Sequence, residues 1–321
     1  MERNSDYTLL YRIAKAYYSD KKTQQEIADV ENFSRSQISR LLQKALDEEI
    51  VTYQVKVPSS IDEQALSQQL CQHLKIERVV LIPSFYQDHT KVSSDDVTKN
   101  LTLGASEKIP QLLGDCKNIG VGWGNAVYNT ALYLPTIHDS IQRTFVPLIG
   151  LSGDNNPALQ INTIVDRFGE RFFAERNYIN LQSLQKKSAI TEGALEPARA
   201  TMEKWMELDA AIIGIGCAPA NAKTMISEFS PLYRKQVQTS GTVGDILSHF
   251  FYQDGRVFDM DQQYNLLAFD INKLTSVKNV IAIAAGWNKC IPIQVAARLG
   301  YIKTLVTDFD TARAILNNEH D

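Results

Sequence analysis

Residues 279–316 read NVIAIAAGWNKCIPIQVAARLGYIKTLVTDFDTARAIL, and this stretch decides the fold class. Two continuous apolar runs, VKNVIAIAAG at 277–286 and IKTLVTD at 302–308, are each followed by a helical segment, WNKCIPIQVAARLG and FDTARAILNN. A strand that is apolar throughout is buried on both faces. Strands of that kind separated by helices form a parallel sheet with helices covering it. The same alternation extends backwards along the chain. Runs at 77–83, 118–124, 143–150 and 209–216 read as strands. Segments 61–74, 97–113, 125–134 and 158–175 read as helices, with Pro110 perturbing the end of the second, and ILSHFF at 246–251 reads as a further short helix. The expected class is α/β.

In open α/β sheets ligands bind beyond the carboxyl ends of the strands, so the strand-to-helix turns carry the functional information. Gly120-Val121-Gly122-Trp123-Gly124-Asn125 lets backbone amides approach an anion at a helix N-terminus, where the dipole also favours negative charge. It is neither a Walker A loop nor a GxGxxG turn with a ribose-binding acid behind it, which argues against ATP and NAD. Asn125 either caps the helix or donates to a ligand. Ala285-Gly286-Trp287-Asn288-Lys289 is a second such turn. Lys289 stands in the first turn of its helix, where the dipole disfavours a cation, and is either matched to an anionic partner or simply exposed. Gly241-Thr242-Val243-Gly244-Asp245 is a third turn, and Asp245 either bonds sugar hydroxyls or caps the segment behind it. Gln160 and Asn162 open the 158–175 helix and are candidates for a hydroxylated ligand. Trp123 and Trp287 either wall the pocket or pack in the core.

The chain has 321 residues, which sets a prior of two domains. Net charge is −4, so any nucleic-acid contact must come from a local patch working against the overall field. Cys71, Cys116, Cys217 and Cys290 are scattered, with no CxxC and no zinc spacing to histidine, so neither a disulfide framework nor a metal site is expected. MERNSDYTLL lacks a signal-peptide apolar region, and the apolar run around VIAIAAGW is too short for a membrane span. A reduced, cytoplasmic protein is expected.

Residues 1–57 form a segment of different character. YTLLYRIAKAYY at 7–18 has helical apolar spacing. Thr23-Gln24-Gln25-Glu26 is a capping box opening a short helix with Ile27, Ala28 and Val30 facing inward. Asn32 suits the tight turn, because Asn tolerates the left-handed conformation. Ser34-Arg35-Ser36-Gln37 is a second capping box, opening a helix with Ile38, Leu41, Leu42 and Ala45 on one stripe. Two short capped helices joined this way form a helix-turn-helix, whose second helix enters the major groove by its N-terminal residues. Nine basic and nine acidic side chains balance over residues 1–57, yet no Asp or Glu occurs from 32 to 46, so positive charge is focused on the second helix. Ser34, Arg35, Ser36, Gln37, Ser39 and Arg40 are the candidates at the bases, where Arg pairs with guanine and Gln with adenine. Lys22, Thr23 and Lys44 are better placed for the phosphate backbone, and Gln24 is a further DNA-binding candidate. IVTYQVKV at 50–57 reads as a strand and Pro58-Ser59-Ser60 as a linker.

AKAYYSDKKTQQEIADVENFSRSQISRLLQKALDEEIV (14–51), GVGWGNAV (120–127), VGDILSHFFYQDG (243–255) and residues 279–316 together resemble the SorC family of bacterial transcription regulators. The resemblance covers nearly the whole chain, and its last segment is long and specific. It implies an N-terminal helix-turn-helix head at 1–57. It also implies a Rossmann-like effector and oligomerisation domain at 58–321, similar to glucosamine-6-phosphate deaminase and ribose-5-phosphate isomerase. A homo-oligomer, dimer or tetramer, is implied, with operator DNA and a phosphorylated sugar as its other partners. Matched by motif, the effector phosphate would lie on Gly122, Trp123, Gly124, Asn125 and Lys289, with Asp245 and Gln160 at ligand-contacting positions. Ile149 stands where some relatives carry a basic residue, and Phe309 where the family has an acid.

The expected function is a sequence-specific DNA-binding regulator of carbohydrate metabolism controlled by a phosphorylated sugar. The alternative is a sugar-phosphate isomerase- or deaminase-like enzyme with an accessory DNA-binding head. That chemistry needs a positioned acid and base. Asp245 is the only carboxylate placed at the turns and no histidine lies in one, so no catalytic residue is assigned. A third reading is an oligomerisation scaffold. No cofactor and no membrane partner are expected.

Overall fold

The computed structural model describes residues 2–51, 62–84, 91–152, 157–189, 193–221, 231–259 and 264–318. The chain divides into two units, residues 1–61 and 62–321. In the first, α1 (Glu2–Ala14) unwinds through a π-helical turn, Lys15–Ser19, before α2 (Gln24–Glu31) and α3 (Arg35–Asp47). Both capping boxes form. Thr23 Oγ1 accepts from the Glu26 amide while Glu26 accepts from the Thr23 amide, and Ser34 and Gln37 repeat the exchange. Asn32 closes α2 in the left-handed conformation, φ 57°. The three helices bury Leu10, Ile13, Ala14, Ile27, Ala28, Ile38, Leu42 and Ala45. Arg12 clasps Glu31 through two bonds of 2.7 and 2.6 Å, joining α1 to α2. Val30, expected inward, is instead 68% exposed. In a helix this short, Ile27 and Ala28 already fill the stripe against α1 and α3, and Val30 falls on the outer face. Ile50 and Val51 pack beside Leu10, Ala14 and Ala45. The rest of the strand expected over 50–57, and the linker at 58–60, lie outside the described residues.

The second unit runs α4 (Glu63–Leu74), β1 (Arg78–Ile82), α5 (Ser94–Leu113), β2 (Asn118–Val121), α6 (Asn125–Tyr133), β3 (Thr144–Pro147), α7 (Ile161–Phe172), β4 (Glu175–Arg176) and β5 (Leu184–Lys186). It continues α8 (Glu196–Lys204), β6 (Ala210–Gly214), β7 (Gly216–Cys217), α9 (Pro231–Gln238), β8 (Gly244–Ile246), β9 (His249–Phe251) and β10 (Tyr264–Leu266). It ends β11 (Asn279–Ile283), α10 (Cys290–Arg298), β12 (Thr304–Asp308) and α11 (Phe309–Asn317). Seven strands form the main sheet in the order β1-β12-β11-β6-β2-β3-β4, parallel throughout. One face carries α5, α6 and α7 over Ile119, Val121, Phe145, Ile212, Ile281 and Val306. The β2-to-β3 and β11-to-β12 crossovers step in opposite directions, so a right-handed connection puts α10 on the other face, where it packs with α4 and α11. The free edge of β1 is covered by α4, from which Ser67 Oγ donates to the Val79 carbonyl at 2.8 Å.

The α/β class and the parallel sheet are as the apolar runs predict. Two differences bear on the site. The 118–124 run is strand only to Val121, and the glycines behind it are turn. ILSHFF is not a helix: β8 and β9 form an antiparallel hairpin, paired with β7, in which Leu247 and Ser248 hold φ of 51° and 63°. Positive φ at both central residues defines the tight turn that matches strand twist. Helix α5 also starts earlier than expected, because Ser93 caps it, and it runs through Pro110 to Leu113.

Candidate functional site

On α3 of the first unit, Ser34, Arg35, Ser36, Gln37, Ser39, Arg40 and Lys44 are all exposed. Ser36, Ser39, Arg40 and Gln43 recur at helical spacing and form one outward face. Gln43 belongs there although the charge pattern alone did not select it, and its amide bonds Asp47 at 3.0 Å. Gln37 is less free than a base-reading residue, since its carboxamide oxygen accepts from the Ser34 amide at 2.8 Å. Lys44 lies 3.9 Å from Asp6 on the surface. Thr23 is committed to capping α2, and Gln24 is half-buried at its first residue.

In the second unit the topology reverses between β2 and β6. From β2 the chain steps through α6 to β3 on one side, while β6 leads to β11 and β12 on the other. Such a reversal opens a crevice at the carboxyl ends of the two strands. The Gly122 amide donates to the Ile212 carbonyl at 2.8 Å, fastening the first glycine turn to β6. Gly124 then N-caps α6 at φ 126°, ψ 166°, a conformation essentially reserved for glycine. Gly286 adopts nearly the same conformation, φ 114°, ψ 151°, ahead of the short turn Trp287–Lys289 that enters α10. Neither N-terminus carries a side-chain cap, whereas α4, α5 and α11 are capped by Asp62, Ser93 and Asp308. Helix N-termini without caps present unsatisfied amides suited to an anion.

Lys289 Nζ donates to the Ile215 carbonyl at 2.6 Å, one residue beyond β6. The two turns therefore converge on one strand end, at Ile212 and Ile215. Asp245, paired in register with Gly216, lays its carboxylate where a Cβ on Gly216 would stand, 1.6 Å from Oδ1. Only glycine at 216 leaves room for it. Burial pushes the Asp245 carboxyl up from its ordinary range, against the pull of Lys289 and the Ser248 amide. Burial likewise pushes Lys289 down, opposed by Cys217 and Asp245. A half-buried cation and carboxylate thus stand near each other just beyond β6. Leu247, at the hairpin tip, packs against Gly122, 3.2 Å from the position a Cβ would take there.

A third wall comes from β3 and α7. Trp123 Nε1 donates to the Leu159 carbonyl at 2.6 Å, tying the first glycine turn to the start of α7. Gln160 is the N-cap residue of α7, half-buried, and its Nε2 donates to the Ser152 carbonyl at 2.6 Å. Asn125 is exposed at the first residue of α6, and Trp287 is exposed rather than in the core. Asn162 departs from expectation. Its amide takes both main-chain groups of Ile179, donating at 2.9 Å and accepting at 3.1 Å, so it braces the segment after β4 rather than facing a ligand.

The family profile described as "Putative sugar-binding domain" matches residues 60–317. The chain belongs to this family. The sorbitol operon regulator of Klebsiella pneumoniae is 28% identical over 98% of this chain and 100% of its own. The transcriptional regulator LsrR of Escherichia coli is 29% identical over 96% of this chain and 94% of its own. The crystal structure of full-length SorC from Klebsiella pneumoniae superposes with a TM-score of 0.74 at 27% identity, covering 96% of this chain and 98% of that one. The resemblance to SorC-type regulators drawn from the motifs is borne out. Both glycine turns and Asp245 on β8 fall within the matched range, and the helix-turn-helix unit precedes it.

Two features of this sugar-binding family member were missed in the sequence. The β8–β9 hairpin has no Asn-Gly or Asp-Gly signal at its turn. Ser152, beside Gln160, carries no motif. The cysteines are free thiols. Cys290 is buried at the start of α10, and burial beside Asp308 pushes its thiol up to about 12, so it packs rather than reacts. Among the described residues no cluster of His, Cys, Asp and Glu is arranged to hold a metal, and no helix is long and apolar enough to cross a membrane.

Proposed function

We propose that the chain is a sequence-specific DNA-binding transcriptional regulator of carbohydrate metabolism whose operator affinity is set by a phosphorylated sugar. Residues 1–57 bind DNA through α3, and residues 58–321 bind the effector and assemble a homo-oligomer. The observation that carries this reading is the convergence of two uncapped glycine turns and Lys289 on the end of β6. Amides and a single cation suit a phosphate, and Asp245 beside them suits sugar hydroxyls. The effector acts by population shift, binding one arrangement of the oligomer better than the other. It is bound and released unchanged. The relatives are named as operon and transcriptional regulators, which supports binding rather than turnover. The working compartment is the cytoplasm.

A thermal-shift screen of phosphosugars against their unphosphorylated parents tests the effector half. At a ligand concentration a hundred times Kd, binding stabilises by about 2.7 kcal/mol, or roughly 5 °C for a unit of this size. The expected result is a shift with a phosphosugar and none with its parent. Equal shifts for the two would remove the phosphate cradle.

A further inference from the structure

We propose that Ser152 is a specificity-determining residue of the same site, its hydroxyl bonding a hydroxyl of the bound phosphosugar; this rests on the reading above. Ser152 lies five residues past the carboxyl end of β3 and is only 4% exposed, yet its Oγ has no hydrogen-bond partner among the described residues. Its main chain is held. The Ser152 carbonyl accepts from Gln160 Nε2, and the neighbouring Leu151 bonds Leu181 through its amide and Ser183 through its carbonyl, each at 2.8 Å. A fixed backbone presenting a buried, unbonded hydroxyl is unfavourable in the free protein, and a ligand group completes it.

The place fits the chemistry. Leu159, next to Gln160, anchors Trp123 of the first glycine turn, so Ser152 belongs to the same wall. From β6, where Lys289 reaches, to β3 is two strand spacings, about 10 Å. That suits a six-carbon polyol phosphate laid across the strand ends, with phosphate at the Lys289 side and distal hydroxyls at Ser152. A neutral hydroxyl both donates and accepts, which matches a sugar hydroxyl, and two strand spacings from the Lys289 side put it out of reach of a phosphate held there.

The test compares Ser152→Ala with the wild-type full chain by calorimetry, using inorganic phosphate, a linear hexitol 6-phosphate and a cyclic aldohexose 6-phosphate. The melting temperature without ligand is measured alongside. S152A is expected to weaken the tighter phosphosugar roughly five- to thirty-fold, to leave inorganic phosphate unchanged, and to melt no lower than wild type. An unchanged phosphosugar affinity overturns the assignment. So does an equal loss for phosphate and phosphosugar, or a lower melting temperature, which marks a structural hydroxyl. If the wild type binds neither phosphosugar, the effector reading itself fails and Ser152 with it.

Discussion

Replacing Arg35 and Arg40 together with alanine is expected to lower affinity for a DNA fragment selected by the wild-type chain between about thirty-fold and about twenty-five-thousand-fold. Each arginine that pairs with a base contributes about 1–3 kcal/mol of discrimination. The two side chains sit in the first half of α3, where a recognition helix meets base edges, and Ser34 caps that end firmly. Both are exposed, and neither forms an ion pair among the described residues, so the fold is untouched. Anisotropy with the selected fragment and with scrambled DNA separates the two kinds of contact. Base contacts predict a large loss on the selected fragment and a smaller one on scrambled DNA. Undiminished binding by the double variant would remove α3 from the DNA interface.

Lys289→Met is expected to raise the Kd for the phosphosugar roughly thirty- to five-thousand-fold while leaving operator binding of the ligand-free protein unchanged. Removing one partner of a hydrogen-bonded, desolvated charge pair costs about 2–5 kcal/mol in binding. Methionine keeps most of the volume, so α10 should stay packed. Asp245 then loses the neighbouring charge that opposes burial, and its carboxyl is pushed further toward the neutral form. Phosphosugar titration by calorimetry reads the effect, and an unaltered Kd would take Lys289 out of the effector site.

What the sequence disclosed were interactions that close over a few residues. The two capping boxes and the left-handed Asn32 are each settled within four positions, and all three form. The buried strands declared themselves by unbroken apolar composition, and the glycine turns behind β2 and β11 by their place after such strands. What stayed hidden was decided by distant parts of the chain. Leu247 and Ser248 take positive φ with neither residue favouring it. Their turn is held by β7 on one side and by the contact of Leu247 with Gly122, over a hundred positions away. Asn162 has the placement of a ligand contact, but Ile179 claims its amide. Val30 has core spacing, but the helix that would cover it does not lie on that side. Lys289 was recognised as a cation in an unfavourable place, while its acceptor, the Ile215 carbonyl, has no signature at all because every residue carries one.

The central claim is that a phosphosugar held at the β2/β6 crevice alters DNA binding by the helix-turn-helix unit. Titration of a labelled operator fragment with the full chain, at one fixed salt concentration, with and without saturating phosphosugar, measures this directly. Coupling between sites is typically about 1–3 kcal/mol, so an operator affinity changed at least about five-fold, in either direction, is the expected result. Identical isotherms with the phosphosugar demonstrably bound would contradict it.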